Sequence, residues 1–309
     1  MDGMDEPQAY LNGRFIPASA AALAPTDAGF VLGATVAEQL RTFAGRIFHL
    51  DDHLTRLKQS LSTVGVTPHV TPEKLGQVAR ELVERNHRLL SPGDDLGLAI
   101  FVTPGMYRAY AGPAEPSRPT VCMHTYPLPF HLWAGKYAAG QALRTTGVEQ
   151  VPAAAWPPGL KCRSRMHYYL ADRQAAQIEP GARALLLDRE GFITEASTAN
   201  ILVFRPGEGL FSPPRAKILP GISLDTVITL AQELGIAAGE HDLRPEDVAR
   251  ADEVLLTSTP LCLVPATRFD GRLIGGGRPG ELFDRLLRAW SELVGLDIAA
   301  QAVRFAARG

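Results

Sequence analysis

Cysteine is nearly absent from this chain: Cys122, Cys162 and Cys262 are the whole complement, widely spaced and without a CxxC pair. That excludes a disulfide framework and a cysteine-based zinc site, and it fits a reducing cytoplasm. Lysine is almost as scarce, at Lys58, Lys74, Lys136, Lys161 and Lys217, because arginine carries most of the positive charge. Neither sign of charge is in excess. A net charge of −2 and a pI near 6.5 give no basic field for nucleic acid or an anionic membrane surface. No uninterrupted apolar run approaches the length of a membrane span, and the acidic opening at Asp2, Asp5 and Glu6 leads into no apolar leader. Several familiar signatures are also missing: GxGxxG between a strand and a helix, a Walker loop, GxSxG and HExxH. The eight histidines show no metal-ligand spacing, so no metal site is expected.

What is present is an ordinary globular composition, 46% hydrophobic and 21% charged, long enough for two domains. Asn12-Gly13 between short alternating runs predicts a hairpin over Ala9–Pro17. A strand over Thr35–Phe43 should return through Arg46–Phe48, and a helix should open at Asp51 or Asp52 with Leu54, Leu57, Leu61 and Val64 on one face. Thr71-Pro72-Glu73 is an N-cap followed by proline at the first helical position, and that helix should run to about Leu90. Strands are expected over Leu96–Thr103 and Pro119–His124, around a loop rich in Gly, Pro and Tyr. The prolines of Tyr126-Pro127-Leu128-Pro129-Phe130 point to a linker. The expected division is therefore a smaller α+β domain over 1–126, a linker over 127–133 and a larger mixed α/β domain over 134–309. In the latter, helices are expected over Met166–Gln177, Ile222–Leu234 and Pro279–Val294, and strands over Ala142–Val148, Ala182–Leu187, Ile201–Phe204 and Glu253–Thr257.

One lysine invites a chemical reading. Lys161 lies between Leu160 and the arginines Arg163 and Arg165, and lysine, unlike arginine, forms imines once its amine is unprotonated. Glu195 follows in Ile193-Thr194-Glu195. Arg56 sits between leucines of a predicted helix, Gly221-Ile222-Ser223 marks a helix start suited to a phosphate, and Thr257-Ser258-Thr259 ends a strand. Each has a bland reading: a surface lysine, a solvated arginine, a plain N-cap, a turn. Together they ask for a phosphorylated carbonyl cofactor.

The sequence resembles the fold type IV (class IV) pyridoxal-phosphate enzymes, which include branched-chain aminotransferases, D-amino-acid aminotransferases and aminodeoxychorismate lyase. The likeness covers nearly the whole chain: Asn12-Gly13, Glu38 with Arg41, His53-Leu54-x-Arg56-Leu57, Lys161, Ile193-Thr194-Glu195 with Asn200, Leu219-Pro220-Gly221-Ile222, and Thr257-Ser258-Thr259. The resemblance implies a pyridoxal 5'-phosphate enzyme in which Lys161 forms the Schiff base and shuttles a proton, while Glu195 bonds the pyridine nitrogen. It implies that Arg56, the Ile222 and Ser223 N–H groups and the Thr259 hydroxyl hold the phosphate. Asn200 should brace the loop after Glu195. It also implies amino-acid and 2-oxo-acid substrates, a homodimer, and a branched-chain-like aminotransferase. The alternatives are a lyase of the aminodeoxychorismate type, a D-amino-acid aminotransferase and, remotely, a non-catalytic cofactor-binding relative. The substrate region departs from the family pattern. Met166 stands where branched-chain enzymes place a tyrosine, with Tyr168 and Tyr169 nearby, and Ala37 replaces an aromatic. Arg108, Arg41 and Arg163 are the candidate carboxylate partners, with Ala37 an open pocket wall.

Overall fold

The computed structural model describes residues 6–110 and 118–308. Residues 111–117, part of the loop rich in Gly, Pro and Tyr, lie outside the described residues. The chain divides into two compact units, Met1–Leu128 with Leu160–Ser164, and Pro129–Gly159 with Arg165–Gly309.

The first unit contains β1 (Gln8–Leu11), β2 (Arg14–Pro17), α1 (Ala28–Val31), β3 (Val36–Phe43), β4 (Arg46–Ile47), α2 (Leu50–Thr63), α3 (Pro72–His87), β5 (Leu96–Thr103) and β6 (Thr120–Pro127). Its strands form one antiparallel sheet in the order β2-β1-β6-β5-β3-β4. Asn12 and Gly13 both take positive φ, which is why that dipeptide makes the β1–β2 turn. The Thr71 hydroxyl caps α3 by accepting from the Lys74 N–H at 3.3 Å. Leu54, Leu57 and Leu61 of α2 pack with Val78 and Leu82 of α3 onto Val36, Leu40, Leu98 and Ile100, forming the core on one sheet face. By strand alternation Ala37, Gln39 and Arg41 belong to the reverse face. The expected linker begins too early: β6 continues through Tyr126 to Pro127, which is paired with Leu96. Proline is tolerated there because the last rung of a strand can do without its N–H.

The second unit contains α4 (Lys136–Ala139), β7 (Gln141–Thr145), α5 (Met166–Ile178), β8 (Arg183–Leu187), β9 (Ile193–Ala196), β10 (Asn200–Arg205), β11 (Gly209–Ser212) and α6 (Ile222–Glu233). It continues with β12 (Ala238–Glu240), α7 (Pro245–Ala249), β13 (Glu253–Ser258), β14 (Cys262–Phe269), β15 (Arg272–Leu273), α8 (Glu281–Val294) and α9 (Ile298–Phe305). The sheet is mixed, in the order β12-β11-β10-β13-β14-β7-β8-β9, with β15 on β14. Ala171 and Ala175 let α5 approach Ala184 and Leu186 of β8 closely. Strand β14, buried at its centre, carries Pro265. Its ladder to β7 starts only at Ala266, so the missing N–H falls outside that ladder.

Candidate functional site

The lysine segment belongs to the first unit, not to the larger domain in which it was expected. It is stitched to β3 and α2. The Ala37 N–H donates to the Lys161 carbonyl at 3.0 Å and the Arg163 N–H to the Thr35 carbonyl at 2.8 Å, while the Lys161 N–H donates to Ser60 Oγ at 3.2 Å. Leu160 packs on the core beside it. The lysine backbone is thus held from both sides. Ser60 shares an α2 stripe with Arg56 and His53, at helical spacing. Arg56, expected at a phosphate, donates Nε to Glu38 Oε1 at 2.8 Å and Nη2 to Glu38 Oε2 at 2.7 Å. A two-point pairing of this kind fixes the plane of the guanidinium as well as its charge.

Glu38 is fully buried and also bonds His53 Nδ1, at 2.7 Å. Burial alone would raise its carboxyl, but the Arg56 guanidinium, and then His53, outweigh that and hold it at about 2. Burial pushes His53 below its ordinary value, against the pull of Glu38 and helped by the positive charges of Arg56 and Lys161. His53 is therefore neutral at pH 7, donates through Nδ1, and leaves Nε2 buried with no hydrogen-bond partner. Of the candidate substrate residues, Ala37 is buried at the lysine, Arg163 is exposed just beyond it, and Arg41 is buried with its guanidinium 4.0 Å from the Phe43 ring centroid. Arg108 is elsewhere in the unit, exposed at the start of a short turn tied to Thr26 through the Tyr107 N–H.

The second unit supplies the carboxylate and the helix start. Glu195 is buried on β9, and its Oε1 accepts from Tyr168 Oη at 2.6 Å and from Gln150 Nε2 at 2.7 Å. Burial, and then the Glu195 charge, push the Tyr168 phenol far above its ordinary value, so it is a permanent donor. Asn200 braces a different loop from the one expected. Its Nδ2 donates to the Leu219 carbonyl at 2.9 Å, and across the sheet it is paired with Thr257. It so ties the Leu219–Gly221 turn to the start of β10, whose partner strand β13 leads to Thr259.

At Gly221 a Cβ would lie 2.0 Å from Asn200 Oδ1, so any other residue would have to push that amide aside. The N-terminus of α6 carries no side-chain cap. The starts of α3 and α9 are taken by Thr71 and Asp297, and the first amides of α8 by Glu253 at 2.7 and 2.9 Å. An uncapped helix start with buried Ser223, a buried arginine, an anchored lysine and a buried carboxylate are the groups that a phosphorylated, ring-nitrogen-containing carbonyl compound requires.

Sequence reasoning named Tyr168 without a role and missed Gln150 and Ser60. A signal for Tyr168 did exist: it shares helical spacing with the inward Ala171 and Ala175, whereas Met166 and Tyr169 are exposed.

The amino-transferase class IV family model matches residues 35–269. A Methanocaldococcus jannaschii protein with the provisional name branched-chain-amino-acid aminotransferase is 30% identical over 92% of this chain and 95% of its own. The D-alanine aminotransferase of Bacillus licheniformis is 30% identical over 88% of this chain and 91% of its own. Among solved structures, the T.th. branched-chain amino acid aminotransferase with pyridoxamine 5'-phosphate is 26% identical, with a TM-score of 0.82 over 94% of each chain. The Escherichia coli branched-chain amino acid aminotransferase has the same fold, with a TM-score of 0.86 at 23% identity over 94% of this chain and 95% of that one.

Proposed function

The chain belongs to the class IV aminotransferase family, and from that premise we propose that it moves an amino group from an amino acid to a 2-oxo acid in two half-reactions. Pyridoxal 5'-phosphate, when bound, supplies the carbonyl that takes up the amino group and the ring that draws electrons from the substrate. Lys161 is the catalytic residue: its Nζ would hold the cofactor through its carbonyl group and, once the substrate amine has taken that place and freed it, would carry the proton of the substrate α-carbon. Glu195 holds a proton on the ring nitrogen, since a charged acceptor raises the pKa of the nitrogen it bonds. Arg56, the Ile222 and Ser223 amides and the Thr259 hydroxyl take the phosphate. Ala37, Arg41 and Arg163 are assigned to the substrate; Arg108, which lies elsewhere in the unit, is not. We also propose a homodimer in the cytoplasm. No helix among the described residues is long and apolar enough to cross a membrane.

The observation that carries this reading is an anchored lysine and a buried carboxylate in one chain, in the order the family requires. Purified protein given the cofactor should acquire the visible absorption of an imine and exchange amino groups between an amino acid and a 2-oxo acid. Lys161→Ala should lose both, and exchange at the parental rate in that variant would end the assignment. A donor panel of branched-chain L-amino acids and D-alanine discriminates between the two activities named for the 30% identical relatives. Pyruvate release without an acceptor would instead favour the lyase reading.

A further inference from the structure

We infer that Tyr168, together with Gln150, is a positioning residue that fixes the orientation and the basicity of Glu195. This rests on the proposed role of Glu195 at the cofactor ring nitrogen and extends it to the groups behind the carboxylate.

Three observations carry it. Both donors converge on one oxygen, Oε1, at 2.6 Å from Tyr168 and 2.7 Å from Gln150, so they set the plane of the carboxylate and not only its charge. Gln150 is itself fixed: its N–H donates to the Leu187 carbonyl at 2.9 Å and its Oε1 accepts from the Val151 N–H at 3.1 Å, which turns the NH2 group toward Glu195. Third, α5 grips the end of β9 twice from one face. Tyr168 holds Glu195, and Asp172, four residues on, accepts from Ser197 Oγ at 2.6 Å and from the Ala184 N–H at 3.0 Å. The residues on both sides of Ala196 are thereby clamped to the helix that follows the lysine segment in sequence.

The consequence is chemical. Each hydrogen bond donated to a carboxylate lowers its affinity for a proton. Tyr168 and Gln150 therefore restrain how strongly Glu195 can pull on the ring-nitrogen proton, while holding the acceptor where that nitrogen must come. A phenol that stays protonated is a suitable donor, because it cannot become a second negative charge beside Glu195.

The test compares Tyr168→Phe, Tyr168→Ala and Gln150→Leu with the parent. Phenylalanine keeps the ring that packs on the cluster of Ala171, Ala175 and Ala184 and removes only the hydroxyl. Two readouts are taken besides exchange activity: the acid titration of the Glu195 side-chain carboxyl by 13C NMR in the apoprotein, and the dissociation constant for pyridoxal 5'-phosphate by equilibrium dialysis. Tyr168→Phe and Gln150→Leu should each raise the Glu195 titration midpoint and weaken cofactor binding about ten-fold, the scale of one hydrogen bond to a charged group. The inference is overturned if Tyr168→Phe matches the parent in both readouts while only Tyr168→Ala is impaired, since the ring then acts by packing. Failure of the parent reading looks different: Glu195→Gln would bind the cofactor as the parent does, or Lys161→Ala would still exchange amino groups.

Discussion

Glu38 is the residue on which the buried charge of the first unit turns. A carboxylate with no solvent exposure on a β-strand is destabilising unless it is paired, and here it is paired bidentately with Arg56 and again with His53. The pair keeps a guanidinium buried on the same α2 stripe as Ser60, the residue that receives the lysine backbone. Removing one partner of such a pair strands the other charge. Glu38→Gln is therefore expected to cost about 3–5 kcal/mol of folding stability, measured by denaturant unfolding of the apoprotein. An unchanged unfolding midpoint would show that Arg56 does not depend on Glu38. Lys161 is held by a different device: its backbone is fixed through main-chain groups, accepting from Ala37 on one side and donating to Ser60 on the other, so the side chain is not needed as an anchor.

Among the elements, the start of α6 joins sequence and site most tightly. Gly221 leaves room for Asn200, which leans over it to reach the Leu219 carbonyl. A methyl group at 221 would push the amide away and free the turn. Gly221→Ala should cost about 1–3 kcal/mol and weaken retention of pyridoxal 5'-phosphate, as followed by thermal melts and equilibrium dialysis. Asn200→Ala in the same chain should cost less than the sum of the single changes, because both disturb one contact. Fully additive losses would mean that the two residues act separately. Elements whose signal is local were legible: the Asn12-Gly13 turn, with its positive φ angles, and the Thr71-Pro72 helix start. Strand β14 was not, because Pro265 reads as a breaker until the neighbouring ladder is known to start one residue later. The same logic hid the end of β6, where Pro127 closes a strand instead of opening a linker. Lys161 and Glu195 were singled out from residue type and order. The contact of Tyr168 with Glu195 was signalled only by its helical spacing with Ala171 and Ala175, since the rotation of α5 decides whether residue 166, 168 or 169 faces Glu195.

At the scale of the whole molecule, His53 and Glu38 in the first unit and Glu253 in the second are shifted in opposite senses, and this makes the acid responses of the elements around them diverge. In the first unit His53 is depressed below its ordinary value of 6.5. As pH falls below 6.5 the unfolded chain takes up a proton that the folded unit refuses, so stability is lost from there downward. Glu38 adds to this: its contribution is complete above its ordinary value of 4.5 and disappears as pH falls toward about 2. In the second unit Glu253, which bonds the first amides of α8, is raised by burial above 4.5. There the folded state binds its proton before the unfolded state does, so acidification toward 4.5 favours folding at that site. Between pH 6.5 and 4.5 the elements around His53 should therefore loosen relative to those around Glu253. Hydrogen exchange, corrected for the intrinsic pH dependence, should show amides of α2 and β3 losing protection between about pH 7 and pH 5 while those of β13 and β14 change less. His53→Gln should flatten the response of α2 and β3 by removing the histidine buried against Glu38. If all four elements lost protection in parallel, the two units would be opening as one, and the pairing of Glu38 with His53 would not govern the acid limit of the fold.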